Sequence, residues 1–256
     1  MNDRTDTDKK KAEDLKEMSF LEHLGDLRKL IIQSLVLFFV LSIICWFLSG
    51  RILDLLISDL PVDSLYFLSP IEAFMVRMKI SFVLGLMMAF PFILFKIWAF
   101  VSPGLFAHEK KRVYPMVVSS SALFYVGVFF CYFILIPTVL GFLLSFGTEF
   151  VNPLISVSAY FAFVARLCFA FGVVFQIPIV VLLMSMLGIV TPGMLLRQWR
   201  YGVVVVFVGA AVLTPPDVIS LLMMALPVLG LYIASILVAF VVVRKKKSDE
   251  REVMRP

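Results

Sequence analysis

The chain has 256 residues, 61% of them hydrophobic and only 16% charged, where soluble domains run near 45–50% and about 25%. With a mean hydropathy of +1.02, no core of this length hides so much apolar surface; soluble-enzyme, collagen-like and disordered classes are excluded, and a membrane protein remains. The net charge of +5 comes from basic residues in short clusters between apolar runs. That arrangement marks membrane topology rather than a nucleic-acid surface, so no nucleic-acid partner is expected.

In chain order, residues 1–18 are rich in Lys, Asp and Glu and are expected to form a disordered tail. The first 29 residues lack the apolar core and small-residue cleavage site of a signal peptide, so the amino terminus is expected to stay uncleaved. From Ser19, apolar residues at 20, 21, 24, 27, 30 and 31 have helical spacing and predict an amphipathic lead-in over 19–29 that lies on the membrane surface. Six apolar stretches follow, at about 30–49, 78–101, 113–137, 158–187, 201–214 and 218–243. Each is read as a membrane helix, giving an all-α polytopic fold, with a basic tail at 244–256. The fifth stretch rises only about 21 Å against a hydrocarbon core of about 30 Å, which predicts local thinning, with the Thr214-Pro215-Pro216-Asp217 turn held below the outer surface. Pro91, Pro178 and Pro227 each remove a backbone hydrogen bond inside an apolar stretch and are expected to bend it.

Orientation follows from the basic residues, because basic connections stay on the cytoplasmic side. One side holds seven Lys and Arg before residue 30, three at 110–112, Arg197 and Arg200, and six after residue 243: 18 of the 23. The opposite side carries Arg51 and Arg77 with six acids, among them Glu72 and Asp217. Both termini are therefore expected in the cytoplasm. Cys45, Cys131 and Cys168 all fall within apolar stretches and match no metal or redox spacing; no disulfide framework and no metal site are expected.

Enzyme motifs are absent: there is no Gly-x-Ser-x-Gly, His-Glu-x-x-His or phosphate-binding loop, and the two histidines, His23 and His108, lie on the basic side. No catalysis and no cofactor are expected. Glu22, Asp26 and Lys29 share a helix face, and Glu109 precedes three basic residues. Taken singly these are a solvated, salt-bridged face and the first-turn acid of the third helix. Together, carboxylates on a basic surface suit a cationic peptide, because guanidinium groups favour bidentate carboxylates. Within the membrane, Gln176 before Pro178 needs an amide partner, as interhelical glue or as a functional polar site. Arg166 is placed to snorkel outward, Lys79 and Lys96 bracket the second helix, and Asp217 after Thr-Pro-Pro is suited to cap the sixth. Trp98, Phe100 and Phe106 fit an aromatic belt or a peptide groove.

These residues also fall into an ordered set of motifs. His23-Leu24-Gly25-Asp26-Leu27-Arg28 is followed by Trp98-Ala99-Phe100-Val101-Ser102-Pro103-Gly104-Leu105 with His108-Glu109-Lys110-Lys111-Arg112. Next come Ser119-Ser120-Ser121 with Leu123-Phe124-Tyr125 and Gly127, then Phe171-Gly172 with Phe175 and Pro178, and Leu213-Thr214-Pro215-Pro216-Asp217. Over about Ser19 to Val243 the chain resembles TatC, the polytopic receptor subunit of the twin-arginine protein translocase. The resemblance implies six helices in a concave, glove-like bundle with short fifth and sixth helices, located in the bacterial cytoplasmic membrane. It implies that Asp26 and Glu109 bind twin-arginine signal peptides of folded cargo, with Arg28 and Phe100 on the same surface. It further implies single-span TatA-type and TatB-type partners in a hetero-oligomer of several copies, set in membrane lipid and driven by the proton-motive force. The family usually has Glu where Asp26 stands, and often a buried Glu where Gln176 stands. A solute transporter using Gln176 and Arg166, and a structural scaffold indifferent to Asp26 and Glu109, are the alternatives the residues leave open.

Overall fold

The computed structural model describes residues 3–58, 65–101, 113–146, 154–214 and 217–253, with side chains from residue 24 to residue 241 apart from those of 101 and 113. These segments are helical almost throughout. Helix α1 runs Asp3–Ser58, α2 Pro70–Val101 and α3 Val113–Phe130; α3 continues through a π-helical turn, Cys131–Leu135, into α4, Ile136–Leu144. Then come α5 (Val157–Val174), α6 (Ile177–Met186), α7 (Pro192–Arg197), α8 (Trp199–Leu213) and α9 (Val218–Val253). The one β feature among the described residues is an isolated parallel bridge between Tyr66 and Ser156.

Five segments are long and apolar enough to cross a membrane: Leu24–Ser58, Pro70–Phe100, Tyr114–Leu144, Val157–Met186 and Val218–Val241. The sixth apolar helix, α8, has 15 residues and rises about 22 Å. It is short, as expected. The sixth span, Val218–Val241, has 24 residues and is the shortest of the five long ones, although α9 as a whole runs on to 36 residues. Pro227 lies inside α9 without ending it, and the Lys- and Glu-rich residues that follow are good helix formers that continue the backbone ladder.

The same cause moves other boundaries. Residues 3–18, expected to be disordered, continue α1, because Ala, Lys and Glu sustain a helix as well as apolar residues do. Helix α2 starts at Pro70, eight residues before the apolar stretch suggested, with Pro at its first position and Glu72 in its first turn. Pro137 does not stop the third span. Its missing N–H and its ring would collide with an α-helical ladder, and the wider π turn takes up the mismatch, with Ile136 N–H bonding Cys131 O. Pro178 does break its helix: Gln176 N–H turns back to Val173 O at 2.9 Å, separating α5 from α6.

The apolar interior falls into three clusters. One joins α3, α4 and the π turn to α5, α8 and α9; one joins α2 to α3 and α6; one joins α1, α2 and α5. Helix α1 packs along α2, where Gly85 meets the backbone of Ser42. Gly172 plays the same part for Phe124: a Cβ there would lie 2.4 Å from the ring. That ring stacks on Phe90 with centroids 3.7 Å apart. Since lipid tails are as apolar as the side chains, such close approaches hold membrane helices together. Hydrogen bonds between helices add direction. Tyr125 donates to Met87 O at 3.1 Å, and Tyr232 donates to Leu195 O at 2.9 Å. The three cysteines are buried and free.

Candidate functional site: a mixed-charge pocket at the basic end

Asp26, Lys29, Leu30 and Gln33 lie three or four residues apart on α1, and so form one stripe. Lys96, Ala99 and Phe100 form the matching stripe at the far end of α2. Where the stripes face each other they line a pocket of about 300 Å³. Asp26 Oδ1 pairs with Lys29 Nζ at 3.8 Å, with the two side chains 67% and 76% exposed. A pair this open contributes little to stability, so its charges remain available to a ligand. Lys96 Nζ lies 5.2 Å from the centre of the Phe92 ring, a cation–π contact that steadies it without neutralising it.

Not every expected site residue joins this pocket. Asp26 and Phe100 line it. Arg28 is exposed, but two residues past Asp26 it sits about 200° round the helix and off the lining stripe. Glu109, Pro215 and Pro216 lie outside the described residues.

Gln176 lies in the break between α5 and α6. Its Nε2 donates to Ser120 O at 3.1 Å and to Gly172 O at 3.4 Å. It therefore ties α3 to α5, the interhelical reading, beside a Ser120 hydroxyl that is buried with no partner among the described residues. Arg166 is exposed on α5. At the opposite end, Asp217 Oδ1 accepts the Ser220 N–H at 2.6 Å and caps α9. Its Oδ2 is buried and unpartnered among the described residues.

That acidic end also holds an assembly that the sequence pattern does not reveal. Glu72 accepts from Leu68 N at 2.6 Å, Ser158 N at 3.0 Å and the Ser156 hydroxyl. Beside it Tyr66 N bonds Ile155 O at 3.1 Å and Val157 N bonds Tyr66 O at 3.2 Å. One carboxylate thus joins the α1–α2 connection to the start of α5. Arg77 Nε donates to Ser49 Oγ at 3.2 Å and its guanidinium lies over Trp46 at 5.4 Å, tying α2 to α1. The available sequence signal was Ser-Pro-x-Glu at a helix start; Ser156 and Ser158, more than 80 residues away, left none.

The helices and pocket define a class: a polytopic α-helical membrane protein with a charged recess where its first two spans meet. Comparison with known proteins narrows it. The family model for TatC, "Sec-independent protein translocase protein (TatC)", matches residues 22–227. A Sec-independent protein translocase protein TatC from Carboxydothermus hydrogenoformans is 39% identical over 93% of this chain and 99% of the relative. Another, from Halothiobacillus neapolitanus, is 38% identical over 83% of this chain, which spans 60% of that longer relative. A crystal structure of the twin-arginine translocase receptor TatC superposes with a TM-score of 0.78 at 35% identity, covering 86% of this chain and 99% of that one. The chain belongs to the TatC family. It is accordingly a multi-pass membrane component of a protein translocase and not an enzyme.

Proposed function

We propose that this chain is the receptor subunit of the twin-arginine translocase and binds the signal peptides of folded cargo in the pocket between α1 and α2. The observation that carries this reading is the Asp26 carboxylate in a recess shared with the Phe100 ring, on a chain of the TatC family. A carboxylate offers a guanidinium two parallel hydrogen bonds where an ammonium makes a point contact, and an aromatic face suits the flat guanidinium. At a water–membrane boundary such bonds are screened less than in bulk water. Glu109 supplies a second carboxylate for the second arginine, and Arg28 flanks the approach.

In this reading both termini are cytoplasmic, as the basic side requires, and the membrane is the bacterial cytoplasmic one. The peptide's apolar segment then enters the concave face of the bundle, shaped by Gln176 and by the bends at Pro91 and Pro178. Single-span TatA-type and TatB-type subunits complete a hetero-oligomer of several copies, and the proton-motive force supplies the energy. The test is binding of a fluorescent twin-arginine peptide to the purified chain in lipid nanodiscs. The arginine peptide is expected to bind at least about tenfold tighter than its paired-lysine version, the weight of one charge-assisted hydrogen bond. Equal binding of the two would reject the receptor reading.

A further inference from the structure

The pocket is not a purely anionic site. Its described lining has one acid, Asp26, but two ammonium groups, Lys29 and Lys96, and the Gln33 amide. Asp26 is the partner of Lys29. Lys96 makes no ion pair among the described residues and is half-buried against Phe92. When a guanidinium takes both oxygens of Asp26, Lys29 loses its counter-ion. Two ammonium groups then share a recess of about 300 Å³ with no remaining described acid. Two ammonium groups in one recess favour an incoming segment that brings a negative charge of its own.

We infer that the pocket recognises a zwitterionic segment, in which a carboxylate within two residues of the arginines is received by Lys96 and the released Lys29. This rests on the receptor reading and deepens it: Asp26 reads the guanidinium, and Lys96 is a specificity-determining residue that reads an acid beside it. Before binding the described lining holds one carboxylate against two ammonium groups; afterwards one arginine faces Asp26, and the ligand carboxylate lies between Lys29 and Lys96, giving Lys96 the partner it lacked among the described residues. Gln33, one turn beyond Lys29, can bond the main chain of either ligand residue.

The experiment uses the full chain in nanodiscs with synthetic twin-arginine peptides bearing Asp or Asn immediately before or immediately after the arginine pair. A control peptide carries Asp ten residues away. At least one adjacent Asp peptide is expected to bind about fivefold tighter than its Asn counterpart, the weight of one ion pair. The distant Asp is expected to give less than half that gain. In Lys96→Gln protein the adjacent-Asp preference is expected to fall below roughly twofold. Adjacent Asp peptides that bind no tighter than Asn, or a preference that survives Lys96→Gln, would overturn the inference. Loss of arginine-over-lysine selectivity in the unaltered protein would instead overturn the receptor reading itself.

Discussion

Replacing Asp26 and Glu109 together by Ala is expected to reduce export of twin-arginine cargo to background while the protein stays folded and in the membrane. The two halves of this expectation have separate causes. Export fails because a charge-assisted hydrogen bond contributes about 1.5–3 kcal/mol, so losing one costs about ten- to a hundredfold in affinity and losing two leaves no specific binding. Folding survives because Asp26 is largely exposed and its pair with Lys29 is open to water, which limits its weight to about 1 kcal/mol or less. Asp26→Glu restores the side chain usual in the family with a longer arm and is expected to keep export. The measurement is export of a reporter carrying a twin-arginine signal, with membrane levels of each variant followed in parallel. Normal export by the double variant would reject the assignment of these carboxylates.

The largest effect on stability is expected at Gly85. A Cβ there would lie 2.3 Å from Ser42 Oγ, 2.7 Å from Ser42 N and 2.8 Å from Ser42 Cα. A hydroxyl can turn aside, but a backbone cannot. Gly85→Ala therefore forces α1 away from α2, and overpacking of this kind costs about 1–3 kcal/mol. Ser42→Gly is not expected to rescue it, since the clash with the main chain of residue 42 remains. Gly141→Ala is the control, because nothing lies within 4 Å of its Cβ position. Thermal unfolding in detergent checks both, and a Gly85→Ala protein that melts with the unaltered chain contradicts the close α1–α2 crossing. Separation of these helices also opens the pocket, so the same variant is expected to lose signal-peptide binding.

These two sites differ in how far the sequence revealed them. Asp26 was legible because its neighbours repeat at helical spacing within a few residues and carry unlike charge on a basic surface. Gly85 was not, because its meaning lies in Ser42, 43 residues earlier and on another helix. Glu72 was counted only as an outer acid, since Ser156 and Ser158 come close to it only after α2 and α5 have packed. The positions of the spans were readable from hydropathy, which measures the need for lipid. Their ends were not, because α1 and α9 continue as helices through Lys- and Glu-rich residues that hydropathy discards. Proline gave mixed guidance for a physical reason. Pro178 divides α5 from α6, Pro91 and Pro227 stay inside long helices, and Pro137 is accommodated by a π turn; a missing N–H can be met by a break, by a wider turn or by an uninterrupted helix.

Reading of arginines in the recess between α1 and α2 is tested most directly by a photo-reactive residue placed next to the arginine pair of a full-length precursor, irradiated in membranes containing this chain. Adducts are expected within residues 26–33 and 96–100, lost when the pair becomes lysine and lost in Asp26→Ala. Adducts confined to the acidic end or to α8 and α9, or equal adducts from the lysine precursor, would contradict recognition in this recess.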